Sequence, residues 1–122
     1  MKERRIIKGL LICLVALTAC YYDSEEKLYP QSNCVTTNMS LQTHIVPILE
    51  RNCYACHSAA ANTANITLQG YTELIKHVNS GRLLGAVRHD PGFKPMPQGA
   101  AKLIACDIAK IEQWIADGGQ NN

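Results

Sequence analysis

The chain has 122 residues, a formal net charge of +2, 47% hydrophobic and 18% charged residues. That length allows one small domain, the composition excludes a disordered acidic or basic tail protein, and the near-neutral balance lacks the basic patch that nucleic-acid binding needs. Aromatics at 6% exclude a large aromatic core, and the six cysteines are the anomaly from which most of the reading follows.

Residues 1–19 open with Lys2, Arg4, Arg5 and Lys8 against Glu3 alone, then run uncharged and mostly apolar from Gly9 to Ala19. A basic start before a short apolar run predicts a secretory signal peptide. A membrane-spanning helix needs about 20 apolar residues, and a buried core helix would show polar positions every turn. Leu17-Thr18-Ala19-Cys20 resembles the bacterial lipobox, a leucine, two small residues and a cysteine. The resemblance implies cleavage before Cys20, a diacylglycerol on its sulfur and an acylated new amino terminus. The other reading is a signal peptide whose cysteine is incidental. Several acyl chains anchor far more firmly than one. Residues 1–19 carry a net +3, so the chain from Cys20 onward is net −1.

Residues 20–39 are polar and without periodicity, which suits a lipid-anchored tether. Asp23, Glu25 and Glu26 cluster behind the anchor. They read as a solvated spacer, and they also resemble the surface-export signals of some bacterial lipoproteins. Cys34 is the residue here expected to be tied to the domain, which spans residues 40–122. Met39 reads as core filling or as simply exposed.

Ser40 is a plausible N-cap for a helix from Leu41 to about Asn52, with Leu41, Ile45, Ile48 and Leu49 on one face. Pro47 lies inside that stretch, so the helix is expected to start near Val46 or to bend there.

Cys53-Tyr54-Ala55-Cys56-His57 is a C-x-x-C-H motif, the attachment signature of c-type haem. Two thiols separated by two residues can reach the two vinyl groups of one porphyrin and form thioethers. The adjacent histidine can then offer its imidazole nitrogen to the iron. Cys53 and Cys56 are thus the expected covalent links and His57 the proximal axial ligand. A thioredoxin-like redox pair would follow a strand in a βαβ pattern, and no strand alternation is visible. A structural zinc site would need a second ligand pair at suitable spacing.

Residues 40–119 resemble a class I-type bacterial cytochrome c domain. The resemblance implies an all-α fold: a small helical domain wrapped round one covalently attached haem c per chain, with the first and last helices crossing. Trp114 would then pack near Ile45 and Leu49. Tyr71 to Asn79 and Gly81 to Arg88 read as two short helical pieces. Ile108, Ile111, Trp114 and Ile115 form an apolar stripe on a helix from about Cys106 to Asp117, which Gly118-Gly119 stops.

Lys94-Pro95-Met96-Pro97 follows an Asp90-Pro91-Gly92 turn, and its prolines stiffen it away from helix. A methionine on such a loop can sit over the far haem face, and the Met-Pro pattern matches the family. Met96 is the expected sixth ligand, giving His/Met coordination and a raised reduction potential. His89 is the alternative, with bis-His coordination and a lower potential. His44 and His77, on helical stretches, read as partly exposed rather than as ligands.

Cys13 leaves with the signal, Cys20 takes lipid, and Cys53 and Cys56 take haem. Cys34 and Cys106 remain, and in an oxidising compartment the pair most simply forms a disulfide; the alternative is two free buried thiols. Closing that loop contributes roughly 4 kcal/mol in the chain-entropy model, an upper figure.

The expected function is a membrane-tethered monohaem one-electron carrier, not an enzyme, whose iron cycles between Fe(II) and Fe(III). Its partners would be redox proteins and, through the lipid, a membrane. An exported bacterial lipoprotein of this kind stands on the periplasmic face of a membrane, the outer membrane by preference, or on the cell surface. The alternatives are a haem enzyme or gas sensor with a labile distal ligand, and a lipoprotein without haem whose Cys53 and Cys56 form a disulfide. Lys94 and Lys102 flank the Met96 loop and could face a redox partner, or be merely solvated.

Overall fold

The computed structural model describes residues 34–122. The expected signal peptide, Cys13, the lipobox cysteine Cys20 and most of the tether lie outside the described residues. Among the described residues there are helices and no strand, so the domain is all-α as expected. None of these helices is long and apolar enough to cross a membrane.

The first helical run opens with a π-helical turn, Leu41–Ile45, and continues as α1, Val46–Asn52. Ser40 caps it as expected: its side chain accepts from the Thr43 N–H at 3.4 Å. The Ser40 N–H donates to His44 Nδ1 at 3.0 Å, so His44 closes a reciprocal cap. As expected from Pro47, the α-helix proper starts at Val46, and the π turn leads into it without a break. The Ile45 N–H reaches back to the Ser40 carbonyl and the Val46 N–H to that of Leu41, each five residues away. This wider turn carries the chain into α1 with Pro47 in the first turn, where a missing N–H costs nothing.

The short helix α2, Tyr54–His57, follows Cys53, and a loop with a single 3₁₀ turn, Thr63–Asn65, leads to α3, Tyr71–Asn79. Gly81, at φ 72°, turns the chain from α3 into α4, Arg82–Arg88. The Met96 loop then runs to α5, Ala105–Ala116. α3 packs on α4, α4 on α5, and α5 on the π turn.

Leu41, Ile45, Ile48 and Leu49 are all buried, as their spacing implied, and share one core with Leu74, Ile111 and Trp114. Each such aliphatic side chain contributes about 1.5–3 kcal/mol by leaving water. Trp114 is satisfied inside the core, donating from Nε1 to the Gln120 carbonyl at 3.0 Å. Ile115 of the expected stripe is only half-buried at the core's edge. Met39 is buried, the first of its two readings.

Polar contacts tie α5 to its neighbours. Arg51 of α1 pairs with the buried Asp107 at 3.3 Å, and Arg88 of α4 pairs with Glu112. Cys34 and Cys106 are joined by a disulfide, with their Cα atoms 5.6 Å apart. Asn122 clamps the start of the first helical run. Its carbonyl accepts from the Gln42 N–H at 3.0 Å and from Ser40 Oγ at 2.9 Å, and its Oδ1 accepts from the Leu41 N–H at 2.8 Å. These donors belong to a first turn that has no intrahelical partners for them.

Candidate functional site

Cys53 ends α1, its N–H donating to the Leu49 carbonyl at 2.7 Å, and its φ of −126° turns the chain into α2. The Cys56 and His57 N–H groups both return to the Cys53 carbonyl, at 3.1 and 2.8 Å. The motif is therefore one tight helical turn carrying both thiols and the imidazole. Cys53 and Cys56 are free, the first half-buried and the second exposed. Burial pushes the Cys53 thiol up to about 11. A redox-active dithiol works through a thiolate of lowered pKa, so the local chemistry opposes the thioredoxin-like reading. Among the described residues no group of three or more His, Cys, Asp and Glu stands around one point that could hold an ion.

The His57 ring is oriented by the loop that follows it. Nδ1 donates to the Ile66 carbonyl at 3.1 Å. With its proton on Nδ1, the neutral ring keeps the lone pair of Nε2 free to ligate a metal. The His57 carbonyl in turn accepts from the Leu68 N–H at 2.8 Å. The chain folds back this sharply by taking left-handed backbone at Asn62 (φ 41°), Ala64 (φ 58°) and Asn65 (φ 57°). Asparagine tolerates that region, but alanine adopts it at a cost of about 1–2 kcal/mol. Cross-bracing holds the loop in this shape: Thr67 Oγ1 donates to Asn62 Oδ1 at 2.9 Å, and the Ala59 N–H to Gln69 Oε1 at 2.9 Å.

Met96 is half-buried on the loop after α4. Its N–H donates to the Ala86 carbonyl at 3.0 Å, and its carbonyl accepts from His89 Nε2 at 3.0 Å. The Phe93 ring lies flat against α4 at Gly85, so closely that a Cβ there would stand 2.4 Å from it. Glycine is required at that position for the loop to approach. Lys94 and Lys102 are exposed, and so are Phe93 and Ile104.

The remaining histidines are placed by the fold. His44 is half-buried and engaged in the cap described above. His77 of α3 is half-buried, and its pKa is held below the ordinary histidine value by burial first, then by the Arg82 guanidinium, with His57 a smaller influence in the same direction and Glu73 opposing it.

The donor set at Cys53, Cys56 and His57 is chemically compatible with one covalently held haem. Two free thiols lie a helical turn apart, a histidine beside them has its outer nitrogen unengaged, and a thioether stands on a loop whose backbone is fixed on both sides. The ring–carbonyl bond at Ile66 and the His89 contact were not visible in the sequence; the asparagines at 62 and 65 were the available signal for a left-handed loop. Compared with family models, with curated proteins and with solved structures, the chain matches none.

Proposed function

We propose that the chain is a monohaem c-type cytochrome, tethered to a membrane through a lipid on Cys20, that carries single electrons between larger redox proteins. The observation that carries this reading is the His57 ring. Its Nδ1–H is committed to the Ile66 carbonyl at 3.1 Å, which leaves Nε2 as the other ring nitrogen on the same turn as the two free thiols.

In this reading Cys53 and Cys56 would hold the porphyrin through two thioethers. His57 supplies one axial nitrogen, and the Ile66 carbonyl keeps that ring from rotating and raises its basicity. Met96 would supply a neutral sulfur as a second iron ligand, a ligand set that favours the reduced state. When bound, the haem supplies reversible one-electron chemistry between Fe(II) and Fe(III). If His57 and Met96 both ligated the iron, no position would be open to a substrate, which favours a carrier over an enzyme. Leu17-Thr18-Ala19-Cys20 provides the tether, which confines the domain to a membrane and raises its effective concentration at partners there.

The test is a haem stain of the exported protein on a denaturing gel, with an absorption spectrum of the native protein. Haem that migrates with the denatured chain, together with the weak long-wavelength band of methionine bound to ferric iron, is the expected result. A colourless protein, or one that releases its haem on denaturation, contradicts the reading. For the tether, Cys20→Ala is expected to release the protein from membranes with its spectrum unchanged; retention through a high-salt wash contradicts the lipobox reading.

A further inference from the structure

Resting on the His57/Met96 reading above, we propose that His89 is a positioning residue for Met96: its ring grips the Met96 carbonyl, so that the end of α4 fixes the backbone from which the thioether projects.

The sequence offered His89 as a rival ligand. The structure gives its ring another task. His89 follows the last residue of α4 and takes a left-handed conformation, φ 58° and ψ 39°, with its N–H returned to the Ala86 and Gly85 carbonyls. Glycine is the usual residue for that position, because a Cβ there is strained. Histidine occupies this left-handed position here, and its side chain reaches the loop that follows. What that side chain does is donate from Nε2 to the Met96 carbonyl at 3.0 Å. A carbonyl can only accept, so in this arrangement Nε2 is the donor and is the nitrogen committed to Met96.

The contact does not stand alone. The Met96 N–H donates to the Ala86 carbonyl at 3.0 Å, so the last turn of α4 and its cap hold both backbone polar groups of one residue. The loop between is also folded onto α4: the Asp90 N–H donates to the Gly85 carbonyl at 2.9 Å, and the Phe93 ring covers Gly85. A thioether sulfur is a weak hydrogen-bond acceptor and cannot be steered by a strong bond of its own. The backbone from which it projects is therefore one thing that sets its position, and His89 holds that backbone from the carbonyl side.

The test compares His89→Gly and His89→Gln with the parent, each purified as the full haem-loaded protein. The readouts are the long-wavelength methionine–iron band and the rate at which the ferric protein takes up added cyanide. Glycine removes the ring and relieves the left-handed backbone, so the fold is not put at risk. Glutamine keeps a side-chain N–H donor. In His89→Gly the band is expected to weaken and cyanide uptake to rise about tenfold, the upper end for one net hydrogen bond. In His89→Gln much of the band is expected to return. A glycine variant indistinguishable from the parent overturns the proposal, as does a glutamine variant as impaired as the glycine one. A parent without the band overturns the Met96 ligation itself, and the parent spectrum shows this before any variant is made.

Discussion

The two loops that carry the candidate ligands are held in opposite ways. In the loop after α2, a backbone carbonyl orients a side chain: Ile66 accepts from His57 Nδ1 at 3.1 Å. In the loop after α4, a side chain orients a backbone: His89 Nε2 donates to the Met96 carbonyl at 3.0 Å. The difference follows from the ligand atoms. Imidazole has two nitrogens, so one can be tied down while the other stays available. A thioether has one weakly accepting atom, so its chain must be fixed upstream. The first loop reaches its shape through strained left-handed backbone at Ala64, and the second through prolines on both sides of Met96 and a packed Phe93.

The severest test of the comparison removes the haem attachment that the proposed function assigns to the first loop. If the proposed function holds, Cys56→Ser is expected to lose most covalently attached haem and, with it, the stability that a bound apolar group would add. Haem staining and a thermal melt check it. Normal haem content with a normal melting temperature would contradict the attachment role of Cys56.

Breaking the second loop alone should spare the first. Met96→Ala is expected to keep its haem and lose the long-wavelength band. It should also lower the reduction potential, because a neutral sulfur favours Fe(II), and admit carbon monoxide to the reduced protein. A redox titration with a carbon monoxide challenge reads both. A parent that already binds carbon monoxide readily has an open sixth position, and the carrier function would give way to an enzyme or a sensor.

The frame that holds both loops can be loosened without touching either. The double variant Cys34→Ser with Cys106→Ser is expected to cost about 2–4 kcal/mol in chemical denaturation while the native spectrum is retained. Unchanged stability would mean that the link to Cys34 constrains little.

A gentler change sharpens the account of the first loop. Ala64→Gly relieves a left-handed alanine at φ 58°, less the greater flexibility of glycine in the unfolded chain, for a net gain of up to about 1 kcal/mol. A loss of stability would mean that the alanine methyl makes a contact worth more than its strain.

The smallest expected effect is a drift with pH. The folded chain holds His77 below its ordinary pKa, by burial and then by Arg82, so below that ordinary value the unfolded chain takes up a proton that the folded one resists. Stability should therefore decline as the pH falls from neutral through that value and level off below the folded pKa. His77→Gln should flatten that part of the profile, as read by denaturation at several pH values.

Much of the fold was legible because its signals are local or compositional. The spacing of Leu41, Ile45, Ile48 and Leu49, and of Ile108, Ile111 and Trp114, marks the buried faces of the first and last helices. The disulfide followed from assigning every other cysteine. Pro47 marked the start of the α-helix at Val46, but the π turn leading into it was not legible, because only the chain's path decides how the helix is entered. The Asn122 clamp was illegible, since it joins groups more than eighty residues apart in sequence. The C-x-x-C-H motif was legible in full, but the partners of its histidine and of Met96 were not. Both depend on left-handed residues, Ala64 and His89, whose types do not announce that conformation.

The central claim is that one turn of chain, Cys53 to His57, holds a haem whose other axial position belongs to Met96. It is tested most directly by the absorption spectrum of the exported protein, taken native and then denatured, beside that of Met96→Ala. The account predicts haem that stays with the denatured chain in both proteins, and a long-wavelength band present in the parent and absent from the variant. Haem that separates on denaturation, or a band that survives the loss of Met96, would contradict it.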